Sequence, residues 1–256
     1  MISPAIANSS HFKGALSLDR TSLKDQAKAE LNPNFSYYLR ISLPALFLTA
    51  FATLVPVPTA RVHHGDWRLW AHGGPLTVTM GRSNEYAAMW QSIITFVGLL
   101  GLLLMIGVSF AMIDGLRGRS DHRFSWTQMF KIFERGEYFL GSLLIGLLQW
   151  VWVLLWMLLL IVPGIVKALA YSQALWIYRD AIDAGHPIGY TEAVTRSREL
   201  MYGHKWELFV LLLSFLGWFL LELITMGLAT IWVVPYRTMT MANFYLKLTE
   251  EQAQRD

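Results

Sequence analysis

The stretch from Ser197 to Tyr245 constrains this chain most. An amphipathic run ends at Gly203. An apolar wall follows from Trp206 to Met226, turns at Gly227, and returns as a second wall from Leu228 to about Leu246, with Pro235 inside it. At 1.5 Å of rise per residue, each wall is long enough for a hydrocarbon layer of about 30 Å, so the pair reads as a membrane hairpin. A soluble domain carries about 25% charged residues. This chain of 256 residues carries 15% against 54% hydrophobic, and the apolar residues are gathered in blocks.

Four more walls precede it. Leu39 to Val57 contains Pro44, Met89 to Ile113 is unbroken, and Tyr138 to Val162 holds Trp150, Trp152 and Trp156. Ile165 to Tyr178 is short for a crossing, and its spanning is left open. A tight turn is expected at Pro163-Gly164. The pattern predicts an all-α polytopic membrane protein: six transmembrane helices within 39–246, an outer loop at 59–88 with a short strand at Leu76–Met80, and tails at 1–38 and 247–256. Residues 1–38 hold no apolar core of a cleavable signal.

Short amphipathic helices separate the hairpins. Leu23, Ala27 and Leu31 form one stripe, which Asn32-Pro33-Asn34 stops. Ser125 and Gln128 fit a capping box, Phe124 and Met129 a hydrophobic staple, and Gly136 a helix stop. Tyr190 to Met201 repeats the pattern, stopped by Gly203. A threefold plan emerges of short helix, break and hairpin: 21–57 with 89–113, 125–178, and 191–246. The apolar faces of the short helices either lie in the headgroup plane or pack on the end of the bundle.

Charge orients the chain. Sixteen of the 21 Lys and Arg residues fall in 1–40, 114–137, 179–207 and 247–256, and only three in 59–88. The positive-inside rule therefore puts both termini in the cytoplasm and 59–88 outside. The basic residues lie between apolar walls, which points to orientation and to membrane lipid as a partner, not to nucleic acid. The chain has no cysteine, which removes disulfides and thiolate chemistry.

Residues 197–245 resemble a bacterial membrane family, domain of unknown function 975. Ser197-Arg198, Leu200-Met201, Gly203, Lys205-Trp206, Phe209, Leu213-Ser214-Phe215, Trp218, Thr225, Gly227, Pro235-Tyr236 and Phe244-Tyr245 carry the likeness. Pro163-Gly164 with Lys167 and Ala170-Tyr171, and the helix of Leu23 and Ala27-Lys28, extend it over about 20–246. The resemblance implies a multi-pass protein of the bacterial plasma membrane and assigns no activity.

Glu222, Lys167 and Arg237 are the ionisable residues in or beside the walls, at ~7.5, ~4.5 and ~15 Å from the nearest turn. They are expected either to form an outward-facing polar cluster or to pair for structural reasons. Arg196, Arg198, His204 and Lys205 form a candidate cytoplasmic contact for lipid or a partner. His63, His64, Asp66 and His72 match no structural zinc spacing and read as a solvated loop. Asp114, near Asp121 and His122, reads as a membrane-boundary cluster. No hydrolase, zincin, phosphate-loop or dinucleotide motif occurs, so no catalytic residue or cofactor is assigned. The expected role is non-catalytic: a scaffold, an envelope-stress factor or an immunity-like protector. A transporter or channel for a small substrate or peptide is the alternative, and a lipid-modifying enzyme the third reading.

Overall fold

The computed structural model describes residues 20–55, 83–123 and 125–255. Every regular element among them is helical: α1 Arg20–Leu31, α2 Phe35–Leu54, α3 Ser83–Leu116, a 3-10 turn Trp126–Gln128, α4 Lys131–Glu134, α5 Gly136–Leu159, α6 Ile161–Tyr171, α7 Ala174–Asp183, α8 Tyr190–Leu200, α9 Lys205–Leu213, α10 Leu216–Ile224 and α11 Thr230–Arg255. The strand expected at 76–80, the histidines at 63, 64 and 72, Asp66 and Phe124 lie outside the described residues.

Among the described residues, four stretches are long and apolar enough to cross a membrane: Phe35–Leu54, Ala87–Leu116, Gly136–Leu159 and Lys205–Ile224. Six were expected. The fourth wall is missing from this set because it is broken into α6 and α7. The sixth is missing because Arg237, Asn243 and Lys247 interrupt α11, which continues as helix through the expected tail to Arg255.

The first hairpin pairs α2 with α3 through glycines. Ala52 lies against Gly98, Thr49 against Gly101 and the Tyr38 hydroxyl against Gly115. The missing Cβ atoms let the two backbones approach closely. The second hairpin pairs α5 with α6 and α7 together. Met157 lies against Gly164, Gln149 Nε2 donates to the Tyr171 carbonyl at 2.6 Å, Tyr178 covers Gly141, and the Tyr138 hydroxyl donates to Asp183. These contacts are in antiparallel order, so α6–α7 retraces α5 from end to end. The turn falls at extended Leu160 (φ −159°, ψ 136°), three residues before the expected Pro163-Gly164. Pro163 sits in the first turn of α6, where its lost N–H has no intrahelical acceptor to miss.

The third hairpin turns at Met226 and Gly227, both at positive φ (52° and 88°), and its arms stay in order from the Trp218–Tyr236 ring contact to His204 beside Glu251 at 3.9 Å. Helix α1 lies between these arms. Lys24 Nζ donates to the Ser214 carbonyl at 3.4 Å, Asn243 Nδ2 to the Leu23 carbonyl at 3.1 Å, and Lys247 Nζ to Ser22 at 2.9 Å. Helix α11 runs across the foot of the first hairpin. Trp232 stacks on Phe35 at the start of α2, at 5.7 Å. Tyr245, ~20 Å further along the helix, bonds Asp180, which Arg117 just past the end of α3 also grips. Both tie points are at one end of the α2–α3 pair.

The short helices pack onto this same end. Leu23, Ala27 and Leu31 of α1, Met129 and Ile132 around α4, and Ala193, Val194 and Leu200 of α8 are buried. The packing alternative therefore holds over an apolar face laid in the headgroup plane. The Ser125 cap is real, but it accepts from Thr127 N and starts a 3-10 turn. Gly136 opens α5 instead of ending a helix, and its φ is not positive. Gly203 does take φ +88°, the left-handed conformation in which glycine carries no Cβ penalty.

A Cβ on Gly107 would strike the Met129 carbonyl, which belongs to rigid backbone, whereas Gly146 has open space. Gly107→Ala is expected to cost about 1–3 kcal/mol, as overpacking does. Gly146→Ala should be neutral or gain up to ~1 kcal/mol from helix propensity. Thermal denaturation in detergent reads both.

Candidate functional site

The foot of the bundle holds a network of buried charge. Asp114, in the last turn of α3, and Arg179 of α7 are each 6% exposed. Arg179 Nη2 donates to both Asp114 oxygens at 2.7 and 2.8 Å, and its Nη1 donates to the Phe110 carbonyl at 2.9 Å. Lys131 of α4 reaches the same carboxylate at 2.5 Å. One turn away, Arg117 makes a two-pronged pair with Asp180 at 2.7 and 2.6 Å, and the Tyr245 hydroxyl of α11 adds a third bond to Asp180 at 2.7 Å. Parallel N–H···O pairs of this kind fix orientation as well as charge. Burial works against the Arg117 charge, but the Asp180 carboxylate outweighs it and holds the guanidinium above its ordinary pKa.

The sequence puts these groups on one helix face by simple spacing. Arg179 and Asp183 are i and i+4 on α7, and Nε of Arg179 is 3.5 Å from Asp183 Oδ2. Asp180, the next residue, faces α3 and α11. Five elements or their flanks (α3, α4, α5, α7 and α11) therefore meet through side chains at the foot.

A polar cavity of about 200 Å³ opens beside this network. Asp114, Lys131, Arg179 and Asp183 form its inner part, Phe110 and Tyr138 its apolar wall, and Glu134 and Arg135 its rim. No ion pair engages Glu134 or Arg135 among the described residues; Arg135 lies over the Tyr138 ring at 5.5 Å. Arg179 Nε is buried without a hydrogen bond.

Asp114, Asp121 and His122 do not form one cluster. Asp114 belongs to the network above. His122, in the left-handed region at φ 53°, bonds Glu30 at 2.8 Å and lies 3.2 Å from the Tyr38 hydroxyl, tying the loop after α3 to α1 and α2.

The structure does not join Glu222, Lys167 and Arg237 by any ion pair among the described residues. Lys167 lies over the Trp156 ring at 4.8 Å, Arg237 is exposed, and one Glu222 oxygen is shielded without a partner. Of the proposed cytoplasmic contact, Arg196 pairs with Glu192 at 2.7 Å and His204 with Glu207 at 2.8 Å. Arg198 is exposed and Lys205 half-buried. The sequence pattern singles out none of Arg179, Asp180 and Asp183, which fall in the basic connection 179–207. The available signal was three ionisable residues within five positions, directly after an apolar run and with no break between.

Residues 157–252 match a family described as a protein of unknown function, DUF975. Over those residues the chain is similar to that family. The matched stretch includes α6 to α10 and most of α11 but not α1 to α4, so the likeness traced back to residue 20 extends beyond it. Neither the curated proteins nor the solved structures give a match. Within the DUF975 stretch, Ser197 has a defined place. Its hydroxyl donates to the Ala170 carbonyl at 2.9 Å and accepts from Gln173 N at 3.2 Å, both at the break between α6 and α7.

Arg117→Met leaves Asp180 largely buried with only a phenol and is expected to destabilise by about 3–5 kcal/mol. Arg196→Ala, which removes an exposed i,i+4 pair, should stay within about 0.5 kcal/mol. Thermal unfolding of the detergent-solubilised chain separates the two.

Proposed function

We propose that this chain is a non-catalytic scaffold of a bacterial plasma membrane, of the kind that protects an envelope under stress or from membrane-active peptides. The observation that carries the reading is the mutual pairing of its buried charge. Asp114 with Arg179 and Lys131, and Asp180 with Arg117 and Tyr245, occupy one another and join helices instead of facing a path through the apolar region. Buried ion pairs used in this way fix geometry.

In this reading the hairpins α2–α3 and α5–α6–α7 cross the bilayer fully. The third enters the same bilayer and returns. The Ser22–Lys247 bond supports both termini on one side, and the distribution of Lys and Arg assigns that side to the cytoplasm. A cysteine-free chain makes this readable. In cells, Thr59→Cys is expected to react with an impermeant maleimide and Ser120→Cys only after permeabilisation. The opposite pattern overturns the orientation.

The transport reading rests on Glu222, whose shielded oxygen lacks a partner on the otherwise apolar helix α10. Proteoliposome flux decides between the two. The scaffold reading predicts ion and small-peptide permeability equal to empty vesicles, with Glu222→Gln unchanged. Flux that Glu222→Gln abolishes would replace scaffold by transporter.

A further inference from the structure

The cavity at the foot of the bundle has the dimensions and chemistry of a small receptor. At about 200 Å³ it is below the range of about 300–1,000 Å³ that holds drug-sized ligands. Its ionisable lining is balanced: Lys131, Arg135 and Arg179 against Asp114, Glu134 and Asp183. An anion alone meets three carboxylates, and a cation alone meets three cationic groups. A ligand carrying one charge of each sign meets neither penalty.

Internal pairing consumes much of this lining. What remains open is directional. Arg135 on the rim has no carboxylate partner, and the buried Arg179 Nε makes no hydrogen bond, with only Asp183 Oδ2 in ion-pair range at 3.5 Å, so both can turn to an anionic oxygen. Glu134, also unpaired, is the acceptor left for an ammonium group. A buried donor with no hydrogen bond is under-compensated for its lost hydration, which an incoming oxygen at hydrogen-bond distance relieves.

Position selects the source of the ligand. Asp114 is in the last turn of the Ala87–Leu116 stretch and Tyr138 in the first turn of Gly136–Leu159. The cavity therefore lies where two apolar helices end, at headgroup depth. Phe130 and Phe133 are exposed beside it and, with Phe139, form a ring cluster at centroid distances of 6.3 and 5.4 Å. Aromatic rings gather at the headgroup level of membranes. Leu140, Leu143, Leu144 and Leu147 continue up α5 as exposed apolar surface, able to lie along an acyl chain.

We infer that this cavity binds the headgroup of a zwitterionic phospholipid bearing a primary amine, of the ethanolamine class. Its phosphate faces Arg135 and the Arg179 Nε–H, and its ammonium faces Glu134. A quaternary amine of similar charge has no N–H to donate to Glu134, which separates this lipid from a choline lipid. The inference shares with the scaffold reading only the membrane embedding. A transporter with the same foot would bind the same lipid, so failure of one does not imply failure of the other.

Native mass spectrometry of the full chain in detergent, titrated with phosphatidylethanolamine, phosphatidylcholine and phosphatidylglycerol of matched acyl chains, tests it. Phosphatidylethanolamine is expected to be retained about tenfold better than phosphatidylcholine, the weight of one charge-assisted hydrogen bond. Glu134→Gln should erase that preference, and Arg135→Gln should weaken all three lipids. Both sites are exposed, so folding is preserved, and an unchanged melting temperature verifies it. Arg196→Gln, outside the cavity, should change nothing. Equal retention of the ethanolamine and choline lipids, preference for phosphatidylglycerol, or no retention each overturns the inference. Competition by free phosphoethanolamine at concentrations matching the lipid transfers the site to a soluble zwitterion and overturns the lipid assignment.

Discussion

The contact between Asp114 and Arg179 is the constraint on which the foot of the bundle depends. A carboxylate held 6% exposed at the end of an apolar helix has to find a cation, and the guanidinium it finds belongs to a helix 65 positions later in the chain. Such a pair adds little net stability over a well-packed apolar pair, but either partner alone is strongly unfavourable. The first and second hairpins are therefore fixed relative to each other at one end. Lys131 brings α4 to the same carboxylate, Asp183 and Tyr138 bring α5, and Arg117, Asp180 and Tyr245 bring α11. Once these are in place, α1 has a groove to occupy, and the short helices become part of the packed end.

Helix breaks are the second recurring device. Interrupting a helix frees backbone donors and acceptors, which need new partners where water is absent. At the α6–α7 break these partners are Ser197 of α8 and Gln149 of α5, on either side. At the α9–α10 break, Lys24 of α1 supplies the donor. Each patch comes from a different element, so the break also works as a docking point. Ser197 and the break it closes both lie within residues 157–252, which ties the DUF975 match to a definite structural feature. The cavity at the foot and the surface helices around it follow from the same arrangement: polar groups gathered at the ends of apolar helices, with Glu134 and Arg135 at the rim outside the internal pairing.

Much of this was legible in the sequence. Local composition located the apolar walls of α2, α3, α5 and α9–α10, the stripes of α1 and α8, and the stops at Gly203 and Gly227, because each depends on residues within a turn or two. Three features were not legible. The pairing of Asp114 with Arg179 depends on which helix ends meet in space, and spacing along the chain carries no trace of it. The extent to which helix α11 packs on protein is the second, because apolar side chains buried in protein are the same residues as those buried in lipid. Its Asn243 and Lys247 were the local sign of protein contact, since they bond Leu23, Gln26 and Ser22 of α1. The turn after α5 was placed at Pro163-Gly164 because those residues usually end a helix; proline is equally at home in a first turn, and here Gly164 gives Met157 room to pack.

The central claim is that the buried Asp114–Arg179 pair acts as one unit holding the two hairpins together. A double-mutant cycle measures it directly, with Asp114→Asn, Arg179→Met and the combined variant unfolded thermally in the same detergent. The account predicts that the combined variant is no less stable than the worse single variant, with a coupling of about 1–3 kcal/mol. Strictly additive losses would mean that the two charges stabilise their own helices independently, and the pair would no longer explain the fold.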